Sequence, residues 1–440
     1  MSAHGAPAPD RAELIAMATR PAPRTAWTAA LWATAIGVVA FLIALFVNAD
    51  RAWRAFEYNW YFFASISSAG VAWAAVQRIT TARWSRPVVR FMEGYVAFLP
   101  IGFLFLLLIL FVGGRHIFTW LVTPPWNPER RLYLSPTFWY LRDIITYLVI
   151  SGLSISLVYL SLRLDVGGMA ESGAAWAAGI RARMRAGFGE ERREMHTTHS
   201  RQGWIAVLTV FAFAYGWYIY SNDMALMLDP HFTSTLYGWW SFITAWLGAI
   251  MSVSLLTMWW RNRLGAQHLI VTKHFHDLGK LCFAFTCFWG YLTFGQYLVI
   301  WYGNMPEDTH FMFTRFVHPW FWTSTIAVAL AFLPFFGLMS KAAKVYLPTF
   351  VLFACSSLLG TYLQRYGEVY PSIYLLPKSL PFGWMEIGVT LLYLGLWGLC
   401  YLAFMDAFPK MRIVMQASPY RDEVQVPVDP RTMEPLPAHE

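Results

Sequence analysis

Hydrophobic positions along this chain are gathered into long stretches that contain no charged residue. Ten stretches lack Asp, Glu, Lys and Arg: residues 27–47, 59–76, 94–114, 144–162, 203–222, 235–260, 281–306, 319–340, 345–364 and 387–405. A bilayer core about 30 Å thick takes about 20 helical residues, because an α-helix rises about 1.5 Å per residue. The pattern therefore predicts an all-α integral membrane protein with ten transmembrane helices.

The composition agrees with a membrane protein. Of the 440 residues, 57% are hydrophobic and 18% are aromatic, but only 13% are charged. A soluble domain carries about 25% charged residues. This chain therefore has too few charges to cover a surface that faces water on all sides.

Basic residues lie in every second connection between the stretches and predict the orientation. These connections contain Arg20 and Arg24, Arg78 to Arg90, Arg163 to Arg201, Arg261 to Lys273, Lys341 and Lys344, and Lys410 and Arg412. By the positive-inside rule they are cytoplasmic, which places both termini in the cytoplasm. The connection of residues 114–135 contains three arginines although it is predicted to lie outside. The remaining connections favour the stated orientation. Because the net charge of +8 is spread over these connections, no basic face for nucleic acid is predicted.

Polar segments flank and interrupt the predicted membrane domain. Residues 1–26 form a cytoplasmic N-terminal tail, and residues 412–440 form a cytoplasmic C-terminal arm with several prolines. Between them, the membrane domain of residues 27–411 contains a cytoplasmic loop at residues 163–202. Its Ala-rich residues 170–185 predict either a helix on the membrane surface or a charged, solvated linker.

The sequence contains no motif for a covalently held or locally ligated cofactor. Its four cysteines lie inside predicted spans without C-x-x-C spacing, so neither an iron-sulfur cluster nor covalently attached haem is expected. Phosphate-loop and dinucleotide-binding motifs are also missing from the sequence. A bis-histidine haem is disfavoured as well, because His116, His276 and His318 lie near span ends and not all on one side.

Polar residues at the predicted outer ends of the third and fourth spans form the first candidate site. Arg142 and Asp143 lie six and seven residues after Pro136, roughly 10 Å inward at about 1.5 Å per residue, and His116 could reach the same level. A histidine and a carboxylate can orient the hydroxyls of a quinol and accept its protons. The alternative is structural, with Arg142 and Asp143 paired to neighbouring helices and His116 on the surface.

The second candidate site lies at the predicted cytoplasmic start of the seventh span. Asp277 precedes Lys280 by three residues, so the two side chains can pair on one helix face. At about 100° per residue, Tyr291 lies near the direction of Lys280 and extends a weakly polar stripe along the span. Together with His276, and with Glu93 at the start of the third span, these residues predict a proton path. The alternative is that charges at the membrane surface anchor the helix ends.

The sequence around the seventh span resembles a known membrane-protein family. The residues that carry the resemblance are His276-Asp277-Leu278-Gly279-Lys280, Phe283, Phe285, Phe288-Trp289, Gln296-Tyr297, Ile300-Trp301-Tyr302, Asn304 and Pro306-Glu307. This region resembles the seventh helix of the NrfD/polysulfide-reductase membrane family, in particular the second, F-type membrane subunit of bacterial alternative complex III. The likeness in spans and loop order runs from Trp27 to about Met411.

The resemblance implies a fold, an activity and partners. The implied fold is two four-helix bundles with flanking first and last helices, and both termini cytoplasmic. The implied activity is that of a subunit, without a self-contained catalytic site, of a quinol:cytochrome c or quinol:oxidase oxidoreductase in the bacterial inner membrane. Its substrate is menaquinol or ubiquinol. The implied partners are a second NrfD-like membrane subunit, a periplasmic iron-sulfur subunit and c-type multi-haem subunits, which hold the iron-sulfur clusters and haems.

By position along the helices, the resemblance also implies roles for individual residues. Quinol-binding roles fall on His116, Arg142 and Asp143, and proton-path roles fall on Glu93, His276, Asp277, Lys280 and Tyr291. In this interpretation the subunit either flanks the quinol site or supplies half-channels for protons.

Two other function classes stay open. A non-catalytic scaffold would dock the periplasmic subunits, and the Pro-rich outer loop of residues 123–131 resembles a stiff contact surface. A secondary transporter would have spans broken in mid-membrane beside a charged site. Pro100 and Pro334 offer such breaks, but no acid is predicted at the midplane.

Overall fold

The computed structural model describes residues 10–123, 128–229, 231–375, 377–421 and 423–424, and over these residues the regular structure is entirely helical. The long helices are α1 (Arg24–Val47), α2 (Ala49–Ile79), α3 (Val89–Ile117), α4 (Pro136–Gly167), α5 (Glu191–Met224), α6 (Tyr237–Leu264), α7 (Thr272–Gly303), α8 (Trp320–Gly337), α9 (Leu347–Ile373) and α10 (Trp384–Ala407). One long helix covers each uncharged stretch, apart from a few terminal residues.

Apolar length identifies nine of these described helices as candidates to cross a membrane, which confirms the predicted all-α, multi-pass membrane protein. The exception is α2, whose 31 residues include Glu57, Asn59 and Ser65. Almost all of α2 is buried inside the protein. A helix surrounded by other helices does not have to present an apolar surface to lipid, so α2 can hold polar residues that a lipid-facing helix excludes.

The other helices are arranged around α2. Contacts close one ring from α2 through α3, α4 and α5 back to α2, and a second ring from α6 through α7, α8 and α9 back to α6. Because α2 also packs on α6 and α9, it joins the two rings. The first and last long helices, α1 and α10, pair with each other beside α2. The polar residues of α2 therefore lie at the junction of both rings.

Small residues allow the closest helix pairs to approach. A Cβ atom built on Gly37 of α1 would lie 2.2 Å from the backbone N of Leu392 on α10. On α9, a Cβ atom at Gly360 would lie 2.2 Å from the backbone N of Ala331 on α8. Backbones this close gain van der Waals contact, which drives helix association where lipid removes the hydrophobic effect.

The α3 segment is the least regular of the long helices. It begins as a short α-helix at Val89–Glu93, passes through the 3₁₀ turn Gly94–Phe98 and continues as the α-helix Leu99–Leu108, with Pro100 in its first turn. The π-helical turn Ile109–Gly113 follows. Such irregular turns often mark functional positions in helices.

The two ends of the described chain meet at one end of the helical assembly. The N-terminal helix Arg11–Ala18 lies against the segment after α10, where the backbone N of Lys410 donates to the carbonyl of Ala18 at 2.9 Å. The carboxylate of Asp406 accepts a hydrogen bond from the backbone N of Ala22 at 2.8 Å. We call this end, which also holds the loop of residues 163–202, the inner end, and the opposite end the outer end.

The loop and the N-terminal segment contain short helices. Within residues 170–185, helical structure begins only at the 3₁₀ turn Ala175–Ala177 and continues as the helix Ala178–Arg185. Residues 11–26 of the N-terminal tail are mostly helical. Residues 124–127 of the predicted outer contact loop, residues 1–9 of the tail and residues 425–440 of the C-terminal arm lie outside the described residues.

Candidate functional site

The structure places His116, Arg142 and Asp143 at the outer end, but in two separate groups. The imidazole Nδ1 of His116 lies 2.6 Å from Oδ1 of Asp50, at the start of α2. The guanidinium of Arg142 makes a bidentate ion pair with Asp223 at the end of α5, with both distances 2.8 Å. Asp143 is fully buried beside that pair. The positive charge of Arg142 is thus compensated within the protein, as its structural alternative expects.

Glu93 lies at the inner end in a buried ion-pair network. Arg90 Nη1 is 2.5 Å from Glu93 Oε2, and Arg90 also pairs with the carboxylate of Asp165 on α4. The other oxygen of Asp165 accepts a hydrogen bond from the backbone N of Val414 at 3.0 Å. All three charged side chains are buried. The network therefore ties α3 and α4 to the segment after α10.

The α7 residues predicted to form a proton path include an outward-facing stripe. Lys280 Nζ pairs with Asp277 at 2.7 Å, and the lysine side chain is 56% exposed. Tyr291 is 70% exposed, and His276 is partly buried near the inner end of the helix. The stripe that contains Lys280 and Tyr291 thus lies on the surface of the assembly, where lipid or another subunit would meet it.

A group of buried polar side chains lies where α2, α6 and α9 meet. Arg365 Nη1 is 2.9 Å from Glu368 Oε2 and donates a hydrogen bond to Oγ of Ser241 at 2.8 Å. The hydroxyl of Tyr61 lies 2.5 Å from the same Oγ atom, and the guanidinium of Arg365 lies over the Tyr61 ring. We call these four residues, together with the neighbouring Glu57, the charged core.

Glu57 is the member of the charged core that lacks a hydrogen bond. Its side chain is fully buried, and neither oxygen has a partner among the described residues. Arg365 and Glu368 are close enough to act on it electrostatically. The charged core thus contains two carboxyl groups and one guanidinium. Because a buried, unpaired carboxylate is costly, an acid kept at such a position is a candidate for taking up and releasing a proton.

A polar stripe on α2 connects the charged core to the outer surface. Asp50, Arg54, Glu57 and Tyr61 follow one another at intervals of four, three and four residues. They therefore share one helix face within an arc of about 60° and span about 16 Å along the axis. The stripe ends at the pair between Asp50 and His116, whose side chains are 59% and 39% exposed. His116 is thus at the outer end of this stripe.

An apolar cavity of about 680 Å³ lies in the outer half of the second ring. It is bordered by α6, α7, α8, α9 and the short helix Pro306–Phe316. Its lining includes the exposed side chains of Phe294, Phe316 and Val328, so the cavity opens on the apolar surface of the protein. Sites for small organic ligands have volumes of about 300 to 1,000 Å³ and mostly apolar walls. The cavity therefore suits a small, mostly apolar compound that reaches it from the apolar surface of the protein.

One wall of the cavity leads into the charged core through Gln364. Its Nε2 donates to Oε1 of Glu368 and to Oγ1 of Thr244, both at 2.8 Å, and its Oε1 accepts from the indole N–H of Trp289 at 3.0 Å. Arg315 also lines the cavity and donates to the backbone carbonyl of Glu368 at 3.0 Å. Burial lowers the pKa of Arg315 to about 10, which leaves it a cation at neutral pH.

Sequence reasoning missed the charged core, although one signal pointed to it. Glu57 lies two residues before an uncharged stretch and Arg365 lies one residue after another, so spans defined by the absence of charge leave both outside. The helices continue past those boundaries and bury both side chains. The signal was the spacing of Asp50, Arg54, Glu57 and Tyr61 on one helix face, which is visible in the sequence.

Comparisons with known proteins give no family for this chain. No protein-family model matches it, and no curated protein matches it. The function is therefore argued from the geometry of the cavity and the charged core.

Proposed function

We propose that this protein is a membrane subunit of a respiratory quinol:electron-acceptor oxidoreductase of the alternative complex III type, in the bacterial inner membrane. The observation that supports it is the apolar cavity of about 680 Å³, which adjoins the buried charged core through Gln364. A membrane-soluble ring compound and a proton acceptor can meet at this place. The resemblance of the seventh-helix region supports the same class of function.

The proposed chemistry follows from what quinol oxidation requires. Quinol loses two electrons and two protons, so its hydroxyls need a hydrogen-bond partner and a group that accepts protons. The amide of Gln364 is the proposed hydrogen-bond partner of a quinol hydroxyl. Glu368, whose Oε1 lies 2.8 Å from the Gln364 amide nitrogen, is the proposed group that takes up the proton. The electrons pass to the iron-sulfur clusters and haems of the partner subunits.

The α2 stripe is the proposed route by which protons leave. Protons pass from Glu368 to Glu57, whose oxygens have no competing hydrogen bond among the described residues. They continue past Arg54 towards the pair of Asp50 and His116 at the outer surface. The proton-path roles predicted for Glu93, His276, Asp277, Lys280 and Tyr291 belong to the same proposal.

We further infer ten membrane crossings with both termini cytoplasmic. Supporting this, the N-terminal helix contacts the segment after α10, since the backbone N of Lys410 donates to Ala18. Ends that lie on the same side require an even number of crossings. Because nine helices qualify by apolar length, the protein-enclosed α2 is the proposed tenth.

Photolabelling tests where quinol binds. A tagged chain is purified from its native membranes with its partners, irradiated with an azidoquinone and digested. We expect label on cavity residues of α7, α8 and α9, and we expect Gln364→Leu to reduce it. Gln296→Leu is the matched control, because Gln296 lines the cavity and bonds to Ser234 instead of Glu368.

Two other labelling patterns would contradict the cavity assignment. Label on the peptides of His116, Arg142 and Asp143 would place quinol at the site predicted from the sequence. Iron and haem in the purified complex without label on this chain would favour the second candidate function, a docking scaffold. Exposed aromatic residues of α7, among them Tyr291 and Tyr302, favour that scaffold, because they offer a surface for a neighbouring subunit.

A further inference from the structure

A second cavity lies at the inner end, and cationic side chains line it. It measures about 40 Å³ and is bordered by the end of α2, the start of α3 and α5, and the segment after α10. The guanidinium groups of Arg78, Arg86 and Arg412 line it beside the imidazole of His199, and no described residue in its lining is acidic. This volume exceeds the roughly 10 to 15 Å³ that one water molecule needs. The cavity therefore has room for a small anion among converging cations.

Unsatisfied polar atoms in the cavity wall also point to a ligand. Gln77 is only 7% exposed, and its Oε1 has no partner among the described residues. The Nε atoms of Arg78 and Arg412 are buried and likewise lack a partner among them, and the two guanidinium groups repel each other. Because nearly all buried polar groups in proteins are hydrogen-bonded, this set is incomplete without a ligand. An anion would accept from both guanidinium groups, and the Gln77 amide can turn its NH₂ group towards it.

The depth of the cavity matches the level of lipid headgroups. Gln77 directly follows the uncharged stretch of residues 59–76, and Gln202, which also lines the cavity, directly precedes the stretch of residues 203–222. Residues at these boundaries lie at the polar surface of the bilayer. The lining also includes apolar side chains, among them Leu164, Met195 and Met415.

We propose that this inner cavity binds a phosphate group, carried by an anionic phospholipid of the inner leaflet or present as free phosphate. Guanidinium groups match phosphate oxygens with paired hydrogen bonds, and arginines at the cytoplasmic surface attract anionic lipids. A bound phosphate neutralises the repulsion between Arg78 and Arg412. It thereby holds the segment after α10 against α2 and α5. This site is separate from the quinol cavity and does not depend on the proposed function.

The test uses the full-length protein, purified in a neutral detergent and stripped of lipid. Thermal unfolding and native mass spectrometry measure the binding of phosphatidylglycerol, of zwitterionic phosphatidylcholine and of inorganic phosphate. The variants are Arg78→Gln, Arg412→Gln and, as a control with the same loss of charge, Arg183→Gln on the exposed face of the helix Ala178–Arg185.

We expect phosphatidylglycerol to raise the unfolding temperature and phosphatidylcholine not to. Arg78→Gln and Arg412→Gln should each weaken the binding of phosphatidylglycerol by about fivefold, and Arg183→Gln should leave that binding unchanged. A rise with inorganic phosphate alone, lost in Arg412→Gln, would identify free phosphate as the ligand. The proposal is overturned if neither anion stabilises the wild-type protein, or if Arg412→Gln binds the lipid as tightly as Arg183→Gln does. If a variant does not fold, the change in unfolding temperature of the wild-type protein with each anion still tests the proposal.

Discussion

Two buried glutamates near the outer end have opposite surroundings. Glu386, at the start of α10, receives two hydrogen bonds from Arg51, both at 2.7 Å, one from the hydroxyl of Tyr370 at 2.9 Å and one from the backbone N of Gly383 at 2.7 Å. Glu57 has none among the described residues. The hydrogen bonds to Glu386 therefore join α2, α9 and α10, whereas no hydrogen bond from a described residue holds the Glu57 side chain in place.

Replacing Glu386 by Gln should destabilise the protein. The substitution weakens charge-assisted hydrogen bonds to a buried carboxylate, and we expect a loss of about 1.5 to 3 kcal/mol, because Arg51, the charge left behind, is 25% exposed and keeps some contact with solvent. Unfolding in a detergent titration would measure the loss. The double variant Arg51→Gln/Glu386→Gln should lose less than the sum of the single variants, and strict additivity would show that the pair does not interact.

Replacing Glu57 by Gln should leave the protein at least as stable as the wild type but should slow its turnover. The amide keeps the shape but carries no charge, so we expect an unfolding temperature equal to or above that of the wild type. If Glu57 relays protons, quinol oxidation by the purified complex should slow about tenfold to a hundredfold, because a positioned proton-transfer group contributes at least that much. Normal turnover and normal proton release in Glu57→Gln would remove Glu57 from the route.

The rule that a span ends at the first charged residue located the helices but not the charged core. Ending a span at the first charge located the helices, but it left Glu57 and Arg365 outside the uncharged stretches. Each is part of a helix, and a neighbour of its side chain is on another helix far away in the sequence, as Ser241 is for Arg365. A sequence pattern indicates where burying a charge would be costly, but it does not show which distant residue compensates that charge.

At the scale of the helix, small residues decide how closely α1 and α10 pack. We expect Gly395→Ala to destabilise the protein by about 1 to 3 kcal/mol, since the new methyl group would lie 2.4 Å from the backbone N of Thr34. Gly398→Ala on the same helix is the control, because its nearest neighbour, the Cβ of Ala30, is 3.4 Å away. Detergent unfolding of both variants measures the difference, and equal stabilities would contradict the close packing.

Helical periodicity predicted a face of α7 but not its direction. Lys280 and Tyr291 do lie on a common side, and that side is the exposed one. The same helical spacing places Asp50, Glu57 and Tyr61 on one face of α2. Of these three residues, Glu57 and Tyr61 are buried inside the protein. Orientation depends on which helices cover a face, and that information comes from contacts between distant segments.

The C-terminal segment should detach from α5 in acid. Glu423 lies 3.1 Å from His196 Nε2 and 2.8 Å from Arg192 Nε, and these hydrogen bonds lower the pKa of its carboxyl. Its contribution is therefore complete above about pH 4.3, the value of a free Glu, and is lost as the pH falls through the lowered pKa. A spin label at the exposed position 419 should become mobile in that range.

The Glu423→Gln variant is the control for this element. Its label should be mobile at neutral pH as well, because the amide lacks the negative charge that Arg192 and His196 hold. A label that stays immobile at pH 3 in the wild-type protein would show that apolar contacts of Val414 and Met415 are sufficient to hold the segment.

At the scale of the whole molecule, α2 shows why counting apolar helices gives an incomplete topology. Seven of the other long helices contact α2, so its polar side chains face protein instead of lipid. This arrangement gathers Glu57, Arg365 and Glu368 in the interior while the surface stays apolar. Sequence analysis predicted ten spans from charge alone, whereas apolar length selects nine because the enclosed helix does not need a lipid-compatible surface.

The number of crossings can be measured with reporters at the two ends and in one connection. If α2 crosses, green fluorescent protein fused before α1 or after Glu440 should fluoresce, because it folds in the cytoplasm, and alkaline phosphatase inserted after Gly303 should be active, because that connection lies outside. If α2 did not cross, the two ends would lie on opposite sides, and only one fusion would fluoresce. Such a result would also separate the N-terminal helix from Lys410, although the backbone hydrogen bond between Lys410 and Ala18 joins them at 2.9 Å. We therefore expect fluorescence from both ends.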